Sequence, residues 1–431
     1  MSRTEVIGGA DRALTDSAGL TRVAGALIIG TIVFNGVLCF LNTRGIEISN
    51  FHVMMSEVLL ISAAAIVARN SINFVHICVL AVIILYTLAL TVIRNITGPE
   101  EGFYPKITRD LIIPVIFFLL GKAVSDVKAA DRIVFAATSI VMFFALFEYF
   151  FMDTFLKVFG IAEYYIARGT LVDSDHTLNV SKGLMISGFR PEGRTLASFL
   201  GDHRVSSIFL EPVTLGNFAT WVTLWAVIRS RMEGRLYLWC GLGGLVLLVL
   251  SDARFDAAFL VLAVVMLMIP ARYTTLPLFL LPFIVAIGLY LLAAAAGPFD
   301  GRPLLQGVGI YDRLLYSGRV MSFLDAYNWF GLKAARANVM DAGYAYVISY
   351  AGIIGYGALW LLFMSLEGAN RYFYRFRNVA AVFLTALLCI SASQFTIKMA
   401  GLLWFLLGVL SAVKESGPTR VEPRPAGQMA G

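Results

Sequence analysis

The feature that most constrains this chain is a recurrence of apolar runs about 18–22 residues long, the helix length that crosses about 30 Å of hydrocarbon. The balance of residues agrees. Only 14% are charged and 59% are hydrophobic, with mean hydropathy +0.79, whereas a soluble domain carries about a quarter of its residues charged. The sequence therefore predicts an all-α polytopic membrane protein with about twelve transmembrane helices and no large soluble domain. The expected spans are 23–41, 51–67, 72–92, 111–124, 133–151, 213–228, 236–250, 257–269, 275–296, 344–364, 379–390 and 397–413. Residues 1–22 are mixed polar and charged, with no cleavable signal, and read as a cytoplasmic segment before an uncleaved first span. Residues 23–413 form one membrane domain, and 414–431, rich in Pro and Gly, read as a disordered cytoplasmic tail.

Basic residues in short connections set the orientation. Arg69, then Lys122, Lys128 and Arg132, then Arg229, Arg231 and Arg235, then Arg272, then Arg371, Arg375 and Arg377 fall on alternate connections. Those connections and both termini are then cytoplasmic. The far side, the periplasm of a Gram-negative cell, receives two long loops, 152–212 and 299–343. Their aromatic and apolar stretches (161–166, 184–186, 196–200, 311–316, 320–330) are enough for short interfacial helices, and ordered loops of this length are usually functional. The net charge of +6 is scattered among hydrophobic segments and is no nucleic-acid signal. The four cysteines, Cys39, Cys78, Cys240 and Cys389, lie in apolar runs without metal spacing and read as small buried hydrophobes.

Four constellations lie on the loop side. Arg204-Val-Ser-Ser-Ile-Phe-Leu-Glu211-Pro212 runs into the sixth span; Glu211 is either a helix-start carboxylate or a base held beside Arg204. Ser251-Asp-Ala-Arg254-Phe-Asp256 joins two spans and reads either as a local ion pair or as part of the same cavity. Tyr316-Ser-Gly318-Arg319, with Arg313 nearby, could open a helix whose amides face an anion, its arginines gripping phosphate oxygens. Asp341-Ala-Gly343-Tyr344 enters the tenth span, with Asp341 as N-cap or ligand group. His203 is a solvated loop histidine or a base. Glu57, with His52, lies inside the second span but close enough to its end to snorkel. Asp173-Ser-Asp175-His176 has the look of an acidic metal pair, yet such clusters are common in loops, and no metal is expected. Arg168, Arg190 and Arg194 add a basic surface suited to an amphiphile with a diphosphate head.

Taken in order, Arg204…Phe-Leu-Glu-Pro…Leu-Gly216-Asn, Ser251-x-x-Arg254, Ser-Gly-Arg319 and Asp341-x-Gly-Tyr344, with Ala351-Gly-Ile-Ile-Gly355 following, resemble the Wzy-type polysaccharide polymerases. These belong to the O-antigen polymerase and ligase superfamily, and the likeness is nearest to the exopolysaccharide branch that includes the xanthan polymerase. Arg204 and Gly216, like Arg319 and Gly331, have eleven residues between them, a shorter arginine-to-glycine spacing than in O-antigen polymerases.

The resemblance implies a GT-C-like architecture in the inner membrane. It also implies transfer of a growing glycan from undecaprenyl diphosphate to the next lipid-linked oligosaccharide, without cofactor, nucleotide sugar or metal. A flippase and a chain-length co-polymerase are the partners it implies. In that chemistry Arg254, Arg319 and Arg204, with Arg313 behind them, stabilise the leaving diphosphate. Glu211 is the first choice for the base, with His203 and Asp341 in reserve. A ligase of the same superfamily is expected to carry a histidine in its second long loop, and 299–343 has none. A transporter should carry charged or broken segments at mid-membrane in both halves, whereas the charges here crowd one face. Reporter fusions at His176 and Arg319 should read as extracytoplasmic; a cytoplasmic signal at either would overturn the topology.

Overall fold

A computed structural model describes residues 3–97, 105–171, 182–190, 193–234, 236–297, 309–333, 339 and 341–414, with side chains from residue 18. The sequence-predicted tail beyond Lys414 and the cluster 173–176 lie outside them. Among the described residues the chain is all-helical, with a single isolated bridge between Phe189 and His203. Each of the apolar runs read from the sequence overlies one long helix. The first five are α1 (Arg3–Thr43), α2 (Asn50–Ala68), α3 (Phe74–Thr97), α4 (Lys106–Val124) and α5 (Val127–Phe150). Two short helices, α6 (Met152–Phe159) and α7 (Ile161–Ala167), open the first long loop. It ends where α8 (Pro212–Glu233) begins, followed by α9 (Leu238–Ser251), α10 (Arg254–Met266) and α11 (Ala271–Ala295). In the second loop lie α12 (Ile310–Ser322) and α13 (Ala326–Trp329). The chain closes with α14 (Gly343–Met364), α15 (Arg371–Leu388) and α16 (Ile397–Ala412).

Six helices are long and apolar enough to cross a membrane: Ala18–Thr43, Asn50–Ser71, Phe74–Ile96, Val127–Phe150, Ala271–Ala295 and Gly343–Met364. The others fall short for a physical reason. The helix α8 is buried on nearly all sides and carries Asn217, Thr220 and Thr223 among its tryptophans, so protein rather than lipid solvates it. The buried helix α16 is apolar but only 16 residues long, while α4 opens with Lys106, Arg109 and Asp110. The outer helices show the opposite pattern. In α2 the inward stripe is Val53, Glu57, Ala64 and Ala68, while Leu59 and Ile66 face outward, the one-sided burial of a helix at the rim of a bundle. Cys78 also faces outward, contrary to the buried reading; the other three cysteines are buried.

Close approach at the centre depends on glycine. A Cβ at Gly121 of α4 would overlap the Phe405 carbonyl oxygen, and one at Gly408 of α16 would overlap that of Phe118. The two helices thus meet backbone to backbone, the small-residue contact favoured where lipid supplies no hydrophobic drive. Gly408→Val should therefore cost about 1–3 kcal/mol by overpacking. It should lower the unfolding temperature in detergent, whereas Gly288→Val, which meets nothing within 4 Å, should leave it unchanged.

Candidate functional site

One acid moors the first loop to α5. Glu148, near the end of α5, has no solvent exposure. Its carboxylate accepts hydrogen bonds from the Ser206 amide (2.9 and 3.0 Å), the Ser207 amide (2.5 Å) and His203 Nε2 (2.8 Å). The Ser207 hydroxyl donates to the Val141 carbonyl at 2.7 Å. On the other side of this strap the Arg204 amide donates to Gly188 O at 2.9 Å, and the Arg190 amide to Asp202 O at 3.1 Å. The loop thus folds back on itself above α5.

The same strap lays arginines against the end of α9. Arg194 Nη2 donates to the Leu250 carbonyl (3.0 Å) and to that of Val249, and Arg204 Nε donates to the Ser251 carbonyl (3.0 Å). These are the last carbonyls of a helix, where the chain carries partial negative charge and wants donors. The turn that follows is pinned by Asp252, which stands in the left-handed region at φ 46°. Its carboxylate accepts from the Thr195 (3.0 Å) and Leu196 (2.6 Å) amides and pairs with Arg190 at 2.7 Å. The aspartate two positions before Arg254 is therefore spent on the first loop, and among the described residues the local ion pair read from the sequence does not form.

Arginines from three segments converge here. Burial pushes the Arg204 guanidinium down to about 9, still protonated at neutral pH; the like charges of Arg190, Arg254 and Arg313 add to the effect and Asp252 opposes it. Arg254 is exposed and Arg313 half-buried, and neither makes a hydrogen bond or ion pair with a described residue. Asp256 lies beneath, 2% exposed, with Oδ1 3.5 Å from the Thr220 hydroxyl. Residues 313 and 316 share a face of α12. Burial, and then the Asp341 carboxylate, push the Tyr316 hydroxyl above its ordinary value, which sets Asp341 within electrostatic reach of Tyr316. Asp341 itself is half-buried and has no hydrogen bond to a described residue.

Glu211 occupies a different setting from the one expected beside Arg204. Its carboxylate meets Lys398 Nζ at 2.7 Å, the Thr214 hydroxyl at 2.9 Å and the Tyr165 hydroxyl at 2.9 Å. Burial opposes the charge on Glu211, but Lys398 and the two hydroxyls outweigh it and hold the carboxyl below its usual range. His203 is likewise engaged, by Glu148.

Further expectations are corrected by the geometry. Gly318 does not open a helix: it sits inside α12, where a Cβ would strike the Leu289 carbonyl, so its smallness serves packing of α12 on α11. Arg319 lies in the last turn of α12, six residues past Arg313 and so about 240° round the helix. Asp341 precedes the first helical residue, Gly343, by two positions and makes no cap bond. Glu57 does not snorkel; it is 6% exposed and paired with Arg109 of α4. Arg109 also binds Asp110 (2.6 Å), which accepts from the Tyr346 hydroxyl of α14 (2.7 Å). Sequence reasoning passed over Glu148, Asp110 and Lys398, although each is an ionisable group in an apolar run, the one signal that could have found them. Among the described residues no group of three His, Cys, Asp or Glu is placed to hold a metal ion.

Inorganic diphosphate should raise the unfolding temperature of the solubilised protein by binding among these guanidiniums. Arg254→Ala and Arg313→Ala should each remove most of that rise while changing ligand-free stability by no more than about 0.5 kcal/mol. The rise should be full below the Arg204 value of about 9 and fade above it, because a bound anion favours the protonated form. An equal rise in both alanine variants would take the arginines out of the site.

No family model matches this sequence, and no curated protein or solved structure is detectably similar to it, so a functional reading rests on these side chains.

Proposed function

We propose that the protein is a polysaccharide polymerase of the bacterial inner membrane. It crosses the bilayer about twelve times with both termini cytoplasmic. It joins undecaprenyl-diphosphate-linked oligosaccharide repeat units at the periplasmic face. The observation that carries this reading is the pair of guanidiniums, Arg254 and Arg313, left without hydrogen-bond partners among the described residues beside buried Arg204. An anion among these like charges would relieve their mutual repulsion. A diphosphate, with oxygens for several forked donors, meets that demand.

The step breaks the bond between the anomeric carbon of the growing chain and its diphosphate oxygen. It forms a bond from that carbon to a hydroxyl oxygen of the next repeat unit. The leaving diphosphate takes the electron pair and its charge develops against Arg254, Arg313 and Arg204, with Arg319 on the same helix as Arg313. The hydroxyl proton goes to a carboxylate. Asp341 suits this role better than Glu211: its oxygens make no hydrogen bond to a described residue, while Glu211 is held by three donors that keep it below its usual range. Glu211 then ties the start of α8 to α16 through Lys398.

A transport reading has one feature in its favour, the break in α14 at Gly352, φ 70°. Broken spans line ion and substrate paths in many transporters. Here the freed carbonyls are already taken, that of Tyr350 by Arg94 (2.6 Å) and that of Ala351 by the Tyr86 hydroxyl (2.7 Å). They are not open to coordinate cargo.

Elongation from purified lipid-linked repeat units separates the roles. Asp341→Asn should slow it by about 10²–10⁴ with unfolding temperature unchanged. Glu211→Gln should chiefly lower the unfolding temperature. Arg254→Ala and Arg313→Ala should abolish polymer at normal protein level, and lysine should restore little at either position. Normal elongation by Asp341→Asn with a stable, inactive Glu211→Gln would return the base to Glu211. Full activity of both arginine variants would sink the glycosyl-transfer reading.

A further inference from the structure

A cavity of about 500 Å³ lies among α3, α4, α14, α15 and α16, apart from the arginine cluster, none of whose members lines it. Its walls are apolar and aromatic, with Val115, Phe118, Leu359, Trp360, Phe363 and Trp404 prominent. It extends along α4 from Leu111 to Lys122, about 16 Å at the rise of an α-helix. At one end stand His76 and Lys122; at the other is Gln394, in the short connection between α15 and α16.

Gln394 is the anomaly. It is 6% exposed, yet neither its amide nitrogen nor its amide oxygen has a hydrogen-bond partner among the described residues. A buried amide is costly unless something satisfies it, and the group that does so here has to meet both a donor and an acceptor. The connection that carries it also faces the site end of the bundle. Four residues on is Lys398, the partner of Glu211, and the adjacent Phe395 ring lies 6.0 Å from that of Tyr346, whose hydroxyl binds Asp110. The cavity is thus an apolar slot through much of the bundle, with an unsatisfied polar group at its loop-side end.

We propose that this slot takes the head-proximal isoprene units of the acceptor lipid, with an oxygen of its polar head at Gln394, while the arginine cluster holds the diphosphate of the donor. This rests on the glycosyl-transfer reading, in which two lipid-linked molecules are bound at once. A space walled by five helices suits a single chain; a two-chain phospholipid would have to leave one chain outside. Flat aromatic walls also suit the planar, methyl-branched units of an isoprenoid. With two separate seats, the acceptor hydroxyl reaches the donor's anomeric carbon without one polyprenyl chain displacing the other.

The test uses the full chain in phosphatidylglycerol nanodiscs and undecaprenyl phosphate carrying a photoreactive diazirine along its chain. Labelling should fall on 111–119 and 359–366. It should be competed by unlabelled undecaprenyl phosphate but not by added phosphatidylglycerol. Leu359→Trp, which fills the slot, should cut labelling by about tenfold or more. Gln394→Leu should cut it as well while keeping or raising the unfolding temperature, since it removes the orphaned amide. Both variants should raise the KM for acceptor and leave the stabilisation by inorganic diphosphate untouched. Labelling that persists in both variants, or yields to phosphatidylglycerol, would overturn the polyprenyl assignment. Labelling in the slot by a protein that never elongates glycan would overturn the acceptor role and the polymerase reading together. Normal elongation with an unchanged acceptor KM in both variants would overturn the acceptor role alone.

Discussion

The carboxylate of Glu148 is the contact on which the rest of the site depends. It is fully buried at the end of a hydrophobic helix and takes hydrogen bonds from two backbone amides and an imidazole. Take it away and three donors are stranded in a dry interior, each at a cost of about 1–3 kcal/mol. What it holds is also strained. Ser207 and Leu210 stand in the left-handed region, at φ 53° and 63°, on either side of the turn into Glu211 and Pro212. Side chains other than glycine adopt that region only when their surroundings insist, and such positions gather at functional sites. Glu148 supplies the insistence: with Ser206 and Ser207 fixed, Arg204 has one place to go.

The arginines divide by what they touch. Arg194 and Arg204 spend their donors on the closing carbonyls of α9 and on the loop that covers it, so they build the floor. Arg254 and Arg313 stand on that floor with their donors uncommitted to described residues. Fixing the first pair by backbone carbonyls, which bear no net charge, leaves the positive potential of the cluster largely unneutralised. Asp252 is the exception, and it is drawn to Arg190 and to the Thr195 and Leu196 amides. An anion bound here would meet electrostatics already set, the condition in which such stabilisation is most effective.

A second set of charges holds the helices beneath. Glu57, Arg109 and Asp110 run from α2 through α4 to the Tyr346 hydroxyl of α14, and the Lys106 ammonium lies 5.3 Å from the centre of the Tyr346 ring. Ion pairs at this depth contribute little net stability, since desolvation offsets their attraction, but a half-made one is expensive, so they fix which helices pair. Arg94 does related work at the Gly352 break. It donates to the Gly331 and Tyr350 carbonyls and joins the end of the second loop to the span that follows it. The glycines at 331 and 352 let those two backbones meet, each in the left-handed region that a side chain would disfavour.

By itself the sequence determined the class of fold, because helix length and apolarity are local properties: each apolar run became a helix, and 161–166 and 311–316 became the short helices expected of the loops. Arg204, Arg254 and Arg313 also stand out in one dimension, as guanidinium groups beside apolar segments. The partners were another matter. Lys398 lies 187 positions from Glu211, and Glu148 lies 55 from His203, so only tertiary structure could say that one carboxylate is clamped and one imidazole occupied. The same holds for Asp252, which neighbours Arg254 in the chain yet pairs with Arg190, and for Gly318, which reads as an anion-binding turn and proves to be a packing surface. Composition declares what a residue can do, but a polar group in a dry interior binds the nearest group that satisfies it, and which group is nearest is decided by how the helices pack.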